Sequence, residues 1–383
     1  MRIGLVVPGF SADASDWCIP ALRDLVARLA QDNDVRVLTL RYPYRRARYE
    51  LFGAQVIALG GGQRTKLGSV DVWQQALRMI ASEQRRRPFD VLHAFWANET
   101  GAVTAIAGRW LGVPSIVSLA GGELAALRDI GYGGQLASSE RVKVRTALRL
   151  ANVVTGGSQS ILTLAVPWLS GRPAQQILWL PFGVDTELFT PGASADADPL
   201  RLLQVAALTP VKDQATLLRA VALVRQRGLP LVLDIAGSGP LEGRLRELAR
   251  QLEIGDIVHF LGAVPHDELP QVYRRASVFV LSSRHEAQGM VVLEAAACGV
   301  PVVATAVGIA PELSPHAARV VPTGDADALA GAIAALLRSP ERRAAMGEAA
   351  RAQIVAQFDV RTCTSRLIDL YRTLARAAPL SRL

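Results

Sequence analysis

Cysteine, histidine, lysine and long apolar runs are all scarce in this 383-residue chain, and each shortage narrows what it can be. Its three cysteines, Cys18, Cys298 and Cys363, lie far apart with no C-x-x-C pair, so neither a disulfide framework nor a zinc site is indicated. The five histidines are equally scattered. No apolar run reaches the ~18–20 residues needed to span a bilayer, and residues 1–7 read as one short strand rather than a signal peptide. The expected location is therefore cytoplasmic. Lys212 is the only lysine of the second half, against many arginines. Hydrophobic residues, by contrast, make up half of the chain, and at this length two domains can each bury a core.

The net charge of +8 is uneven: residues 1–185 hold 21 Lys and Arg against 14 Asp and Glu, and the remainder 21 against 20. The run Arg41-Tyr42-Pro43-Tyr44-Arg45-Arg46-Ala47-Arg48-Tyr49 and the triplet Arg85-Arg86-Arg87 supply much of the excess. Such a half can meet an anionic membrane, peripherally at the inner face, or an anionic acceptor. A solvated basic face is the plain alternative. No signature of a nucleic-acid-binding fold accompanies the charge, so no nucleic acid partner is expected.

Short apolar strands alternate with helical patterns. Strands are predicted at 2–7, 34–40, 54–59, 91–94, 115–119, 153–156 and 176–180, with helices at 19–30, 72–84 and 101–110 among the intervening segments. The second half repeats the theme, with strands at 201–206, 231–236, 257–260, 278–281, 302–304 and 319–321, and helices at 214–227, 240–251, 267–275, 291–298 and 325–337. Residues 190–199, rich in Pro, Gly, Ala and Asp, read as a linker. The class is α/β: two Rossmann-like, doubly wound parallel-sheet domains facing a central cleft, residues 1–183 and 184–361, followed by a final helix within 362–383. Ligands of such sheets bind beyond the carboxyl ends of the strands. The first strand-turn lacks G-x-G-x-x-G, which argues against a nicotinamide cofactor.

The most informative stretch is His285-Glu286-Ala287-Gln288-Gly289-Met290-Val291-Val292-Leu293-Glu294. A helix fits from about Gly289 to Cys298, with Gly299 as its stop. Glu286 precedes it and Glu294 lies over one turn inside, roughly 10 Å away at 1.5 Å per residue. Between them sit the free N–H groups and partial positive charge of a helix start. That layout suits a diphosphate held in the middle with hydroxyl-rich groups at both ends, the shape of a nucleotide-sugar. Two solvated glutamates on an amphipathic helix are the plain alternative, but Glu294 falls inside the apolar run 291–297, where a carboxylate needs partners.

Lys212, in a strand-to-helix loop, offers a compact point charge suited to phosphate. A solvated lysine after a turn is the other reading. Gly237-Ser238-Gly239-Pro240 follows a strand and opens a helix, where glycines permit either close backbone approach to a ligand or a tight turn. Asp196-Ala197-Asp198 and Asp325-Ala326-Asp327 have the D-x-D form of a metal motif. The first falls in the linker and the second at a helix start, where Asp is a favoured cap. No metal is expected, because Lys212 and the helix dipole can carry the phosphate charge.

These pieces resemble the E-x7-E signature and its companions in the retaining family 4 glycosyltransferases, which have the GT-B fold. Pro181-Phe182-Gly183-Val184-Asp185, Val211-Lys212-Asp213, Ala236-Gly237-Ser238-Gly239-Pro240 and Phe260-Leu261-Gly262 fall in the family's order over nearly the whole chain. The resemblance implies transfer of a sugar from a nucleotide-diphosphate sugar, with no further cofactor, to a sugar or lipid-linked hydroxyl acceptor. It assigns Lys212 to the diphosphate, Glu286 to sugar hydroxyls, the backbone of Gly289, Met290 and Val291 to sugar or phosphate, and Glu294 to the ribose. Phe260 and Leu261 lie in the stretch that reads the base, with Gly237 and Gly239 in the same series. The final helix is implied to cross back onto the N-terminal domain.

On the acceptor side, His93 matches an Asp-Val-x-His segment whose histidine reaches the reaction centre in the family; a core histidine is the other reading. Leu119-Ala120-Gly121-Gly122-Glu123 resembles a His-Gly-x-Asp/Glu loop, with Ala120 for the histidine and Glu123 retained. Trp96, Glu99 and Tyr132 are further acceptor candidates, since aromatic faces stack on sugars and carboxylates accept hydroxyl protons. Two features depart from the family. Its Gly-Arg-Leu before the lysine is Ala206-Ala207-Leu208 here, which leaves Arg284 and Arg244 as replacement cations. Its Gly-Gly pair before the first helix is Asp16-Trp17, which leaves Gly9 of Pro8-Gly9-Phe10 as the nearest flexible substitute.

The resemblance implies retaining chemistry, with His93, Lys212 and Glu286 as the reacting-centre set. A double-displacement route needs a carboxylate ~5 Å from the acid, and Glu286 and Glu294 are too far apart for it. Front-face substitution, in which the leaving diphosphate helps deprotonate the acceptor, fits better. An epimerase or phosphorylase on the same fold is one alternative, and the missing arginine, the altered glycine loop and Ala120 keep a second open, a non-catalytic nucleotide-sugar binder.

Overall fold

Short runs of Val, Ile, Leu and Ala form most strands of a computed structural model that describes residues 1–62, 66–169, 171, 176–192, 199–313 and 315–377. The central ones, at 91–95, 115–119, 153–156, 278–281 and 302–305, are buried along their whole length, as parallel strands covered by helices on both faces must be. The first half runs β1 (Arg2–Gly9), α1 (Pro20–Asp32), β2 (Asp34–Tyr42), β3 (Ala47–Leu51), β4 (Ala54–Ala58), α2 (Lys66–Arg86), β5 (Val91–Phe95), α3 (Glu99–Leu111), β6 (Ser115–Leu119), α4 (Ser138–Leu150), β7 (Val153–Gly156), α5 (Gln159–Ala165) and β8 (Ile177–Trp179). The second half runs β9 (Leu200–Val205), α6 (Gln214–Gln226), β10 (Leu231–Ala236), α7 (Glu242–Gln251), β11 (Val258–Gly262), α8 (Leu269–Arg274), β12 (Val278–Leu281), α9 (Met290–Ala297), β13 (Val302–Thr305), α10 (Ala310–Leu313), β14 (Ala318–Val321), α11 (Ala326–Leu337), α12 (Pro340–Gln357) and α13 (Val360–Ala377).

The chain divides into two units, Met1–Pro181 with Thr362–Leu383, and Phe182–Arg361. The sheet of the first has the order β3-β4-β2-β1-β5-β6-β7-β8. Its pairs are parallel except β3 with β4. No strand is predicted from sequence at β3, because it begins inside the basic run. There Arg48 and Glu50 face water while Tyr49 and Leu51 are half-buried, the alternation of an edge strand. The last helix belongs to this unit, with Tyr371 of α13 fully buried in it.

The sheet of the second unit is parallel throughout, in the order β11-β10-β9-β12-β13-β14. Successive strand residues point to opposite faces. Val278 and Val280 pack with Leu217, Val221 and Ile333, whereas Phe279 and Leu281 pack with Leu293, Ala297 and Ile354.

Strand order reverses between β1 and β5 in one sheet and between β9 and β12 in the other. At such a point the loops leaving the two strands part and open a crevice. The loop after β9 carries Lys212 and the loop after β12 carries Glu286; Trp96 follows β5. Among the described residues, no helix is long and apolar enough to cross a membrane.

Candidate functional site

The loop after β12 is tied closely to the loop after β9. Ser282 Oγ accepts the Gln204 side chain at 2.8 Å and donates to the carbonyl of Lys212 at 2.8 Å. The Arg284 N–H reaches the Val211 carbonyl at 2.8 Å. These contacts bring Lys212 Nζ to 2.5 Å from Glu286 Oε1, which also accepts Ser283 Oγ at 2.7 Å. The two side chains are only 24% and 12% exposed, so the pair is poorly hydrated and its attraction is weakly screened.

Gly289 then turns the chain into α9. Its φ of +86° is a left-handed conformation open to glycine, and it caps the helix without a side chain. The first amides of α9, on Met290 and Val291, thus have no capping side chain beside them. Glu294 lies one turn inside and is buried. Its Oε2 accepts the Tyr273 hydroxyl at 2.7 Å, and Oε1 is 3.5 Å from His266 Nε2. Burial, and then the Glu294 charge, push the Tyr273 phenol well above its ordinary value, so it stays protonated and donates. A cation and one carboxylate therefore occupy neighbouring loops, with an uncapped helix start and a second carboxylate directly after them. That set can neutralise a diphosphate and accept bonds from hydroxyls.

The other donor-side residues are placed differently from the simplest expectation. A side chain on Gly237 (φ +140°) would lie 2.0 Å from the Ala206 carbonyl oxygen, and one on Gly239 would lie 2.6 Å from that of Leu208. The close approach these glycines permit is to the 206–208 loop itself. Phe260 is half-buried under the Arg246 guanidinium, 4.5 Å from its ring centroid, and Leu261 is exposed. Ala207, where the family arginine is missing, is exposed and its carbonyl accepts Gln214 Nε2 at 3.0 Å. Arg244 is exposed on α7 and Arg284 is half-buried beside Glu286.

In the first unit, three expectations are corrected. His93 is fully buried, with Nδ1 2.7 Å from the Tyr371 hydroxyl and Nε2 2.7 Å from Ser118 Oγ. Burial lowers its imidazole to about 3. Both nitrogens are engaged, so it is the core histidine that ties α13 to the sheet. Glu99 is likewise buried, gripped by Arg41 at 2.9 and 2.7 Å and by Trp73 Nε1 at 3.0 Å, and is not presented to an acceptor. The same pair removes Arg41 from the solvated basic face. Glu123 turns inward, where Oε1 accepts the N–H groups of Ala120 and Ala97 at 3.0 and 3.3 Å, and burial pushes its carboxyl up. It holds the loop that carries it.

Trp96 and Tyr132 remain half-buried around that loop. A side chain on Gly121 would lie 2.5 Å from Trp96 Nε1, and one on Gly122 would lie 2.5 Å from the Tyr132 hydroxyl, so the glycine pair lets both rings approach. Trp96 has a φ of +69°, a strained position for a bulky residue. Gly9 packs at the end of β1 against Tyr42 and Cys18. Asp16, at the place of the family's glycine pair, anchors its loop by accepting the Ala12 N–H and the Tyr42 hydroxyl, each at 2.7 Å.

Asp325 caps α11, accepting the Ala328 N–H at 2.8 Å. Asp196 and Asp198 lie outside the described residues. Among the described residues, no group of three His, Cys, Asp or Glu side chains is placed to hold a metal ion. Sequence reasoning missed Ser283 and Tyr273, the partners of the two glutamates. A hydroxyl three residues before Glu286 is a visible clue; Tyr273, remote in sequence, leaves none.

Residues 19–183 match the family model described as Glycosyl transferase 4-like domain, and residues 187–353 match that of Glycosyl transferases group 1. A GDP-mannose-dependent alpha-(1-6)-phosphatidylinositol monomannoside mannosyltransferase of Mycobacterium tuberculosis is 37% identical over 218 residues, 52% of this chain. The match covers 57% of that relative, so the chain spans little more than half its length. A D-inositol 3-phosphate glycosyltransferase of Kribbella flavida is 33% identical over 305 residues, 72% of this chain and 70% of the relative. Among solved structures, sucrose-phosphate synthase from Thermosynechococcus elongatus has a TM-score of 0.79 at 21% identity, covering 98% of this chain and 99% of that one. Anabaena HepE, solved with UDP-glucose, has a TM-score of 0.74 at 20% identity, covering 97% and 100%. At such identities these two establish the fold alone. From its two family matches and its inositol-phosphate relative, the chain belongs to the family 4 glycosyltransferases, with the GT-B fold.

Proposed function

We propose that this protein transfers a sugar from a nucleotide-diphosphate donor to a hydroxyl acceptor with retention at the anomeric carbon. The observation that carries this reading is the Lys212–Glu286 pair beside the uncapped start of α9, with Glu294 one turn inside. On donor binding, Lys212 exchanges Glu286 for the diphosphate, and Glu286 is released to sugar hydroxyls. The amides of Met290 and Val291 meet the phosphate or sugar, and Glu294, oriented by Tyr273, takes the ribose. The 237–239 and 260–261 loops flank the base. The relatives named for GDP-mannose favour mannose on a guanine nucleotide as the donor.

With the donor bound, Glu286 is taken up by sugar hydroxyls and Glu294, held by Tyr273, by the ribose, which leaves neither as an enzyme nucleophile. A front-face route therefore has the support: the diphosphate leaves, takes the acceptor proton on the same side, and is stabilised by Lys212 and the helix start. Trp96 and Tyr132 are the proposed acceptor-facing rings. The relatives' names favour an inositol-bearing acceptor, as free phosphate ester or lipid. Tyr44, Arg45, Arg46 and Arg48, exposed beside a groove of about 710 Å³, support peripheral contact with an anionic membrane.

The test is direct. GDP-mannose and UDP-glucose are each incubated with inositol phosphate or with phosphatidylinositol mannoside vesicles, and the product's anomeric configuration is read by NMR. An α-mannoside supports the reading. A β-product, or no transfer from any nucleotide-sugar, overturns it.

A further inference from the structure

Gln288 lies in the loop between Glu286 and the Gly289 cap and is buried. Both ends of its amide pair with the backbone of one residue, and Nε2 also lies 3.4 Å from Met290 Sδ. Oε1 accepts the N–H of Phe182 at 2.9 Å, and Nε2 donates to the carbonyl of the same residue at 2.7 Å. This two-point pairing imitates a neighbouring strand and fixes both groups in one orientation. The backbone of Gln288 is pinned too. Its carbonyl accepts the Ile309 N–H at 2.7 Å, and Gly308 (φ +57°) leaves no room for a side chain, which would stand 2.3 Å from that carbonyl oxygen.

Phe182 is the residue on which the chain enters the second unit. Two residues on, Val184 pairs with the segment on which the chain returns. Its N–H reaches the Phe358 carbonyl at 2.9 Å, and its carbonyl accepts the Val360 N–H at 2.9 Å. A side chain on Gly183 would strike the Val360 Cα at 2.3 Å. The entering and returning segments therefore run side by side, and Gln288 links them to the loop that carries Glu286 and the start of α9.

We propose that Gln288 is a positioning residue that couples the donor loop to the segment on which the chain enters the second unit. This rests on the donor reading above only for its catalytic consequence. A buried amide that did no more than satisfy two orphan backbone groups would be replaceable at a cost in stability alone. Coupling requires that the two segments respond together.

Hydrogen exchange on the full chain distinguishes these cases, using wild type, Gln288→Leu and Gln288→Glu, with and without saturating GDP. Without nucleotide, Gln288→Leu is expected to speed exchange about tenfold both at 182–186 and at 286–292, as loss of about 1.4 kcal/mol of hydrogen bonding allows. Gln288→Glu keeps the acceptor for Phe182 N–H but loses the donor, and is expected to fall between the two. With GDP, wild type slows at both segments, whereas Gln288→Leu slows only at 286–292. In turnover, Gln288→Leu loses about tenfold in kcat while donor KM stays within about threefold. The proposal is overturned if unliganded exchange changes at only one segment or at neither, or if GDP still slows 182–186 in Gln288→Leu. If GDP slows nothing in wild type, the donor reading fails, and the unliganded comparison alone decides the coupling.

Discussion

Replacing His93 with Gln isolates one acid-sensitive element of the first unit. His93 is buried between Tyr371 and Ser118, and burial takes its imidazole from an ordinary 6.5 down to about 3. Unfolding restores the ordinary value. Between pH 6.5 and about 3 the unfolded chain thus binds a proton that the folded chain refuses. Stability is full above pH 6.5 and is lost as pH falls, at up to about 1.4 kcal/mol per pH unit. From pH 7 to pH 5 the loss assigned to this histidine is about 2 kcal/mol. Glutamine does not titrate and keeps a polar head within reach of both hydroxyls. Urea unfolding at the two pH values should therefore show the wild type losing about 2 kcal/mol more than His93→Gln. Equal losses would refute the burial argument. The variant should also keep turnover within about threefold of wild type, whereas a fall of about a thousandfold would return His93 to the reacting centre.

Two further perturbations test other contacts. Arg41→Ala leaves the Glu99 carboxylate buried without its guanidinium, in a pair whose side chains are 8% and 2% exposed. It is expected to cost about 3–5 kcal/mol in urea unfolding, and Arg41→Met with Glu99→Gln less than that; a loss below about 1 kcal/mol for the single variant would contradict the pairing. Tyr273→Phe removes the hydroxyl that orients Glu294 and should raise donor KM about fivefold with kcat unchanged, about 1 kcal/mol of binding; an unaltered KM would separate Glu294 from the donor.

The fold was legible because parallel strands buried on both faces read as uninterrupted apolar runs, and because Gly289 and Gly299 mark the ends of α9. Among the elements not predicted, β3 and α12 show why. β3 is hidden by Arg46 and Arg48, since an edge strand needs no continuous apolar run. α12 buries Arg343, Gly347, Ala350 and Ile354, a face too poor in large apolar residues to show a helical period. Lys212 and Glu286 stand out in the sequence as the lone lysine of the second half and as a carboxylate just before a glycine-started helix, and the structure sets both on loops after strands that flank a reversal of order. The errors share one cause. Whether a polar side chain faces a ligand or the core depends on partners remote in sequence. Tyr371 for His93, Arg41 for Glu99 and the backbone of Ala97 for Glu123 lie 278, 58 and 26 residues away. The glycines at 237 and 239 fit the same explanation, because the loop they admit is 206–208.

Calorimetric titration of GDP into wild type and Lys212→Ala tests most directly whether a diphosphate sits at the start of α9 under the Lys212 charge. Loss of a charge-assisted contact worth about 1.5–3 kcal/mol predicts an affinity about 10- to 100-fold weaker in the variant. Equal dissociation constants for the two proteins would contradict it.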